Sequence, residues 1–220
     1  KWMLENNVPE NKIHLIPCGV PVDDFELKER KPKSPVKIIA VSRLVEKKGM
    51  EYTIKAFNLA CQKVDAVLEI IGDGPLKNDL EALAQKSDYR SQIIFHGEMN
   101  IEQVKQKLYE ADIFAQHSVT ATDGDTEGSP VAIAEASAAG LPIISTFHAG
   151  IPDLVENNVS GYLVKEKDYN AMAEKIIILA ENFDLQRKMG ATGRERMENL
   201  FNSVDQIKKL EKVLMEIFNK

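Results

Sequence analysis

The chain has 220 residues, 44% hydrophobic and 28% charged, with a formal net charge of −6. That suffices for one domain with a sizeable core plus an appendage, and the acidic balance argues against a nucleic-acid partner. Cys18 and Cys61 form no metal spacing and no dense disulfide framework, no apolar run reaches the ~18 residues of a membrane span, and no segment reads as a signal peptide, so a cytoplasmic protein is expected.

Residues 1–35 read as a lead-in that opens at Lys1-Trp2 in what looks like the end of a helix, as though cut from a longer protein. Within it KIHLIPCGVPVDDF predicts a short apolar strand, a Pro/Gly turn and an acidic exit, and Lys31 to Pro35 a polar linker. From Val36 the rhythm becomes strand, turn, helix. VKIIAVS (36–42) is short and apolar enough for a buried parallel strand, and a helix from Gly49 to Lys63 follows. Next come strand 66–72, helix 76–85, strand 92–97, helix 101–110 and strand 112–117. A helix from Ser129 to Gly140 then leads to a β-branched strand, Leu141 to Thr146, and a Gly-bearing turn. GYLV (161–164) is one more strand, before helices near 168–181 and 184–198. An amphipathic helix at 203–218, within a C-terminal element 201–220, closes the chain. This alternation over 36–200 predicts an α/β domain: a doubly wound, Rossmann-like parallel sheet with helices on both faces and ligands at the carboxyl ends of its strands.

The most informative stretch is HSVTATDGDTEGSPVAIAEASAAGLPIISTFHAG, residues 117–150. An acidic, flexible loop ends at Glu127-Gly128. Ser129 is a suitable N-cap and Pro130 suits the first helical position, leaving the N–H groups of Val131 and Ala132 to face an anion at the positive end of the helix dipole. Glu135 follows about one turn on. Two glutamates near a helix start also fit dipole-complementing surface residues, and Ala132, Ala134, Ala136, Ala138 and Ala139 fit close packing of a buried helix on a sheet.

Three strand-end turns carry further candidates. In SRLVEKKG (42–49), Arg43 and Lys48 flank a strand-to-helix turn where two cations can reach one diphosphate, Lys47 being the weaker candidate. Gly72-Asp73-Gly74-Pro75 reads as mostly structural and lacks the spacing of a dinucleotide fingerprint, so no nicotinamide cofactor is expected. In Phe95-His96-Gly97-Glu98-Met99, His96 reads as a satisfied polar residue at a strand end rather than a proton shuttle.

The acids at 127 and 135 with seven residues between them, then Ala136, Gly140, Pro142 and Gly150-Ile151-Pro152, resemble the signature of the family 4 retaining glycosyltransferases. The string HSVTATDGDTEGSPVAIAEA is similar to the bacterial branch that builds exopolysaccharides such as colanic acid, and the likeness runs from about residue 12 to the end. The resemblance implies the C-terminal, donor-binding half of a GT-B fold, with residues 1–35 leading in from an absent N-terminal domain and the last helix crossing back towards it. It implies that Arg43, Lys48 and the N–H groups near Val131 hold a diphosphate, and that Glu135 takes the ribose hydroxyls. Glu127 would hold the sugar together with backbone at Gly128 and Ser129, and the Gly97, Glu98, Met99 loop would meet the base. Glu127, Arg43 and Lys48 are the expected catalytic groups. A GT-B enzyme needs no divalent ion, so Asp123-Gly124-Asp125 is expected to touch sugar rather than metal, with no cofactor beyond the donor, a UDP-sugar first and a GDP-sugar second. The acceptor would be a saccharide or a lipid-linked saccharide, with peripheral membrane contact at the inner face open to the full-length protein. A non-catalytic nucleotide-sugar module and a sugar-nucleotide 2-epimerase are the alternatives.

Overall fold

A computed structural model of the chain describes residues 2–218; Lys1, at the start of the expected helix end, lies outside them. Six strands, β1 (Val36–Val41), β2 (Ala66–Ile71), β3 (Ile93–Gly97), β4 (Ile113–Ala115), β5 (Ile143–Thr146) and β6 (Gly161–Val164), form one sheet in the order β3-β2-β1-β4-β5-β6. Every adjacent pair is parallel. Around the sheet run α1 (Trp2–Glu5), α2 (Met50–Ala60), α3 (Lys77–Gln85), α4 (Ile101–Glu110), α5 (Val131–Ala138), α6 (Ile151–Leu154), α7 (Tyr169–Ala180), α8 (Phe183–Leu200) and α9 (Ser203–Phe218).

Alternate strand residues face opposite layers, as a period of two requires. Ile38, Ala40, Leu68, Ile70, Ile144 and Val164 pack with Ile54 and Phe57 of α2 and Met172 and Ile176 of α7. Ile39, Ile71, Phe114, Ile143 and Leu163 pack on the other face with Leu108 of α4, Ile133 of α5 and Met197 of α8. Each fully buried Ile, Leu or Phe contributes about 1.5–3 kcal/mol relative to exposure. Both faces are covered, which is why the strands read as continuous apolar runs rather than alternating ones. The order reverses between β1 and β4, and there the carboxyl ends diverge into a crevice.

The expected architecture is the observed one, with local corrections. The apolar strand expected in KIHLIPCGVPVDDF is absent. Residues Glu10–Lys12 and Val22–Asp24 are 3-10 turns, and only Val20 forms an isolated bridge, to Asn202. Pro17 and Pro21 interrupt any ladder there, and Leu15 is 90% exposed. The lead-in is nonetheless bound to the domain, because Val20, Val22 and Phe25 are buried in the second layer and the Arg30 guanidinium bonds the carbonyls of Ala111, Leu108 and Ala139. The strand expected from Leu141 begins at Ile143, after Pro142, which has no N–H to give. The short α6 was expected only as a turn.

Candidate functional site

Four chain segments meet above the crevice and enclose a cavity of about 980 Å³, within the range of small-molecule sites. The end of β1 supplies Val41, Ser42 and Arg43, with Lys48 from the turn that follows; the end of β2 supplies Gly72, Asp73 and Gly74. Glu98 and Met99 follow β3, and Glu127 with Ser129–Ala132 forms the entry to α5. The two glycines let the turns meet: a Cβ on Gly72 would lie 1.9 Å from the Ser42 carbonyl oxygen.

The helix start differs from expectation. α5 begins at Val131, and Pro130, not Ser129, is its N-cap, with extended ψ of 109° and no side-chain cap bond. The Pro130 carbonyl accepts from Ile133 and Ala134, while no backbone acceptor takes the Val131 or Ala132 N–H among the described residues. Their donors stay open towards the cavity. The chain enters extended because Glu127 and Gly128 are held from outside: the Glu127 N–H donates to His148 Nε2 at 3.0 Å, and the Gly150 N–H donates to the Gly128 carbonyl at 3.1 Å.

Charge is concentrated at Lys48 and Glu127. Lys48 Nζ lies 2.8 Å from Glu127 Oε2, with side chains 15% and 5% exposed. The other carboxylate oxygen, Oε1, is buried without a partner among the described residues, as is the hydroxyl of Ser42. An unsatisfied buried acceptor costs about 1–3 kcal/mol. Arg43 is exposed and makes no ion pair with another described residue, so its five donors are open to solvent or ligand.

Of the expected residues, Arg43, Lys48, Glu98, Met99, Glu127, Ser129 and Val131 line the cavity, whereas Gly97, Gly128 and Glu135 do not. Gly128 and Gly97 adjoin it in sequence. Glu135 lies one turn behind Val131 on the same helix face. It is half-buried, and burial pushes its carboxyl above the usual range against the opposing pull of Lys105.

The acidic loop expected to be flexible is tied at three points. Thr120 donates its N–H to Glu166 at 2.9 Å, Thr122 bonds Glu46 through its N–H (3.0 Å) and hydroxyl (2.9 Å), and Lys47 pairs with Asp125 at 3.0 Å. Lys47 is thereby committed to the loop, and the Asp123 carboxylate accepts the Asp125 N–H. His96 Nε2 is 2.7 Å from Glu69, which also takes Lys107 at 2.6 Å, a satisfied polar cluster away from the cavity. His148 and Glu166 were not singled out by sequence. The contact joins residues 21 apart across two loops, and FHAG (147–150) signals only a turn.

The sequence profile of the family described as "Glycosyl transferases group 1" matches residues 22–196. The chain is 38% identical over 197 residues to WcaL of Escherichia coli K12, named for colanic acid biosynthesis, covering 88% of this chain and 48% of that one. It is 36% identical over 208 residues to the amylovoran biosynthesis glycosyltransferase AmsK of Erwinia amylovora, covering 94% and 51%. The chain thus spans about half the length of these curated relatives. Anabaena HepE, solved in complex with UDP-glucose, superposes with a TM-score of 0.73 at 21% identity, over 83% of this chain and 49% of that one, a likeness of fold. The six-stranded parallel sheet is that of the GT-B glycosyltransferases. The chain belongs to the group 1 glycosyl transferases.

Proposed function

We propose that the chain is the donor-binding half of a retaining hexosyltransferase that moves a sugar from a nucleoside diphosphate to a saccharide or lipid-linked acceptor in cell-surface polysaccharide synthesis. The observation that carries this reading is the Glu127 carboxylate: buried, held by Lys48 through one oxygen, and unpartnered at the other beside the open N–H groups of α5. In the proposed complex Arg43, Lys48 and the N–H groups of Val131 and Ala132 take the diphosphate, where charge grows as the glycosidic bond breaks. Glu127 Oε1 accepts from a sugar hydroxyl and orients the anomeric carbon, with Gly128 and Ser129 beside it. Glu135 serves the ribose, and the Gly97–Met99 turn meets the base.

Several observations support this reading. The relatives named for colanic acid and amylovoran synthesis support an exopolysaccharide product, and the donor is proposed as a UDP-sugar first and a GDP-sugar second. The doubled length of the relatives supports an N-terminal partner domain for the acceptor, so this half alone should bind donor and transfer poorly. No helix among the described residues is long and apolar enough to cross a membrane, and the proposed setting is the cytoplasm, at the inner membrane face when the acceptor is lipid-linked.

Calorimetric titration with UDP, GDP, ADP and their glucose or mannose conjugates, with and without magnesium, tests the reading. Selective binding of one diphosphate, unchanged by magnesium and tighter for its sugar conjugate, is expected. Binding of none, or binding that requires magnesium, would overturn it.

A further inference from the structure

The turn between β5 and α6 grips the loop that carries Glu127. His148 is 3% exposed and does not line the cavity. Its Nε2 lies 3.0 Å from the Glu127 nitrogen and its Nδ1 lies 2.6 Å from Glu166 Oε1. A backbone N–H can only donate, so Nε2 is the bare acceptor and the ring proton sits on Nδ1, donated to Glu166. Glu166 also accepts the Thr120 N–H; burial works against its charge, but these bonds outweigh burial and hold its carboxyl below the usual range.

The main chain repeats the grip. The Gly150 N–H reaches the Gly128 carbonyl, and a Cβ on Gly150 would stand 2.3 Å from that oxygen, so turn and loop touch backbone to backbone. Between the two contacts Ala149 holds a φ of 45°, a left-handed conformation that costs a non-glycine residue about 1–3 kcal/mol. Surrounding contacts hold the turn in that shape.

We infer that His148 is a positioning residue for the donor sugar. It accepts the Glu127 N–H, thereby holds the backbone from which the carboxylate with its unpartnered Oε1 projects, and has its ring tautomer locked by Glu166. This rests on the donor-site reading only for its consequence; the anchoring of Glu127 stands without any ligand. Loss of the ring should free Glu127 while leaving the diphosphate contacts of Arg43, Lys48 and α5 in place.

The test has a ligand-free arm and a ligand arm. In the first, amide exchange at Glu127 and the 15N signals of His148 are followed by NMR in wild type, His148→Leu and His148→Gln, whose side-chain oxygen can replace the Nε2 acceptor. Expected are a protonated Nδ1, a bare Nε2, exchange at Glu127 faster by about tenfold in His148→Leu, the loss of one hydrogen bond, and recovery in His148→Gln. Equal exchange in wild type and His148→Leu, or a proton on Nε2, overturns the inference. Should His148→Leu fail to fold, Glu166→Ala replaces it, with mixed tautomer signals expected and unchanged signals overturning. In the second arm the affinity ratio of UDP-glucose to UDP should collapse about tenfold in His148→Leu with UDP affinity retained, and return in His148→Gln. A ratio unchanged by His148→Leu overturns the positioning of the sugar contact. If wild type binds neither UDP nor UDP-glucose, the donor-site reading fails, and the ligand-free arm still decides whether His148 holds Glu127.

Discussion

Lys48 and Glu127 form an ion pair with almost no access to water, and Arg43, five residues before Lys48, stands exposed with no ion pair among the described residues. The two environments predict different mutational signatures. Arg43→Ala should leave thermal stability within about 0.5 kcal/mol, because nothing packed depends on it, yet weaken diphosphate binding by about 10–100-fold. Glu127→Gln keeps the volume but strips Lys48 of its counter-charge, so it should cost up to about 3–5 kcal/mol of stability. It should also weaken UDP-glucose more than UDP. Thermal melts beside calorimetry separate the two, and equal losses for both ligands would remove Glu127 from the sugar contact.

His117 offers a second test at this scale. It is fully buried, its Nε2 accepts the Lys167 N–H at 2.6 Å, and burial pulls its pKa from 6.5 down to about 4. The unfolded chain therefore takes up the proton first. Stability from the neutral ring is complete above pH 6.5 and is lost as pH falls towards 4, by about a few kcal/mol at most. His117→Gln, which retains an acceptor, should flatten that part of the stability profile; an unchanged slope between pH 6.5 and 4 would assign the loss to other groups.

At the scale of elements, legibility followed the strength of the local signal. α4 has the bounds expected from the sequence, and the structure supplies the reason they are sharp: Asn100 and Gln103 form a capping box at its start. β6 and α9 were likewise bounded correctly from GYLV and from the long amphipathic repeat. The lead-in misled because its apolar residues suggested a strand, whereas Pro17 and Pro21 interrupt the stretch and Leu15 stays exposed. In the site, Arg43, Lys48 and the acids at 127 and 135 stood out through their resemblance to the family signature rather than through spacing alone, and the structure brings Arg43, Lys48 and Glu127 to one cavity while Glu135 stays outside its lining. The His148 anchor did not stand out, since a contact between two loops leaves no periodic trace. α9 itself makes a prediction. Only Gln206 is buried, while Val204, Ile207, Leu210, Leu214 and Ile217 are 42–58% exposed. Deleting residues 208–220 should therefore cost less than about 1 kcal/mol, or about 2–4 °C in melting temperature. A larger drop would show that the domain itself depends on the helix.

At the scale of the whole molecule, the fold acts by bringing three strand-end segments, far apart in sequence, to one crevice with the N-terminus of α5. The order reversal between β1 and β4 creates that crevice, and the two covered faces hold its walls. The central claim is that a nucleoside diphosphate binds there, with its phosphates on the open N–H groups of α5. NMR titration of the 15N-labelled chain with UDP, and with GDP in parallel, tests this most directly. The account predicts that the amides of Val131 and Ala132 move most, with Ser42, Arg43, Gly74 and Glu98 following. Shifts clustered on another face, or none at saturating UDP and GDP, would contradict it.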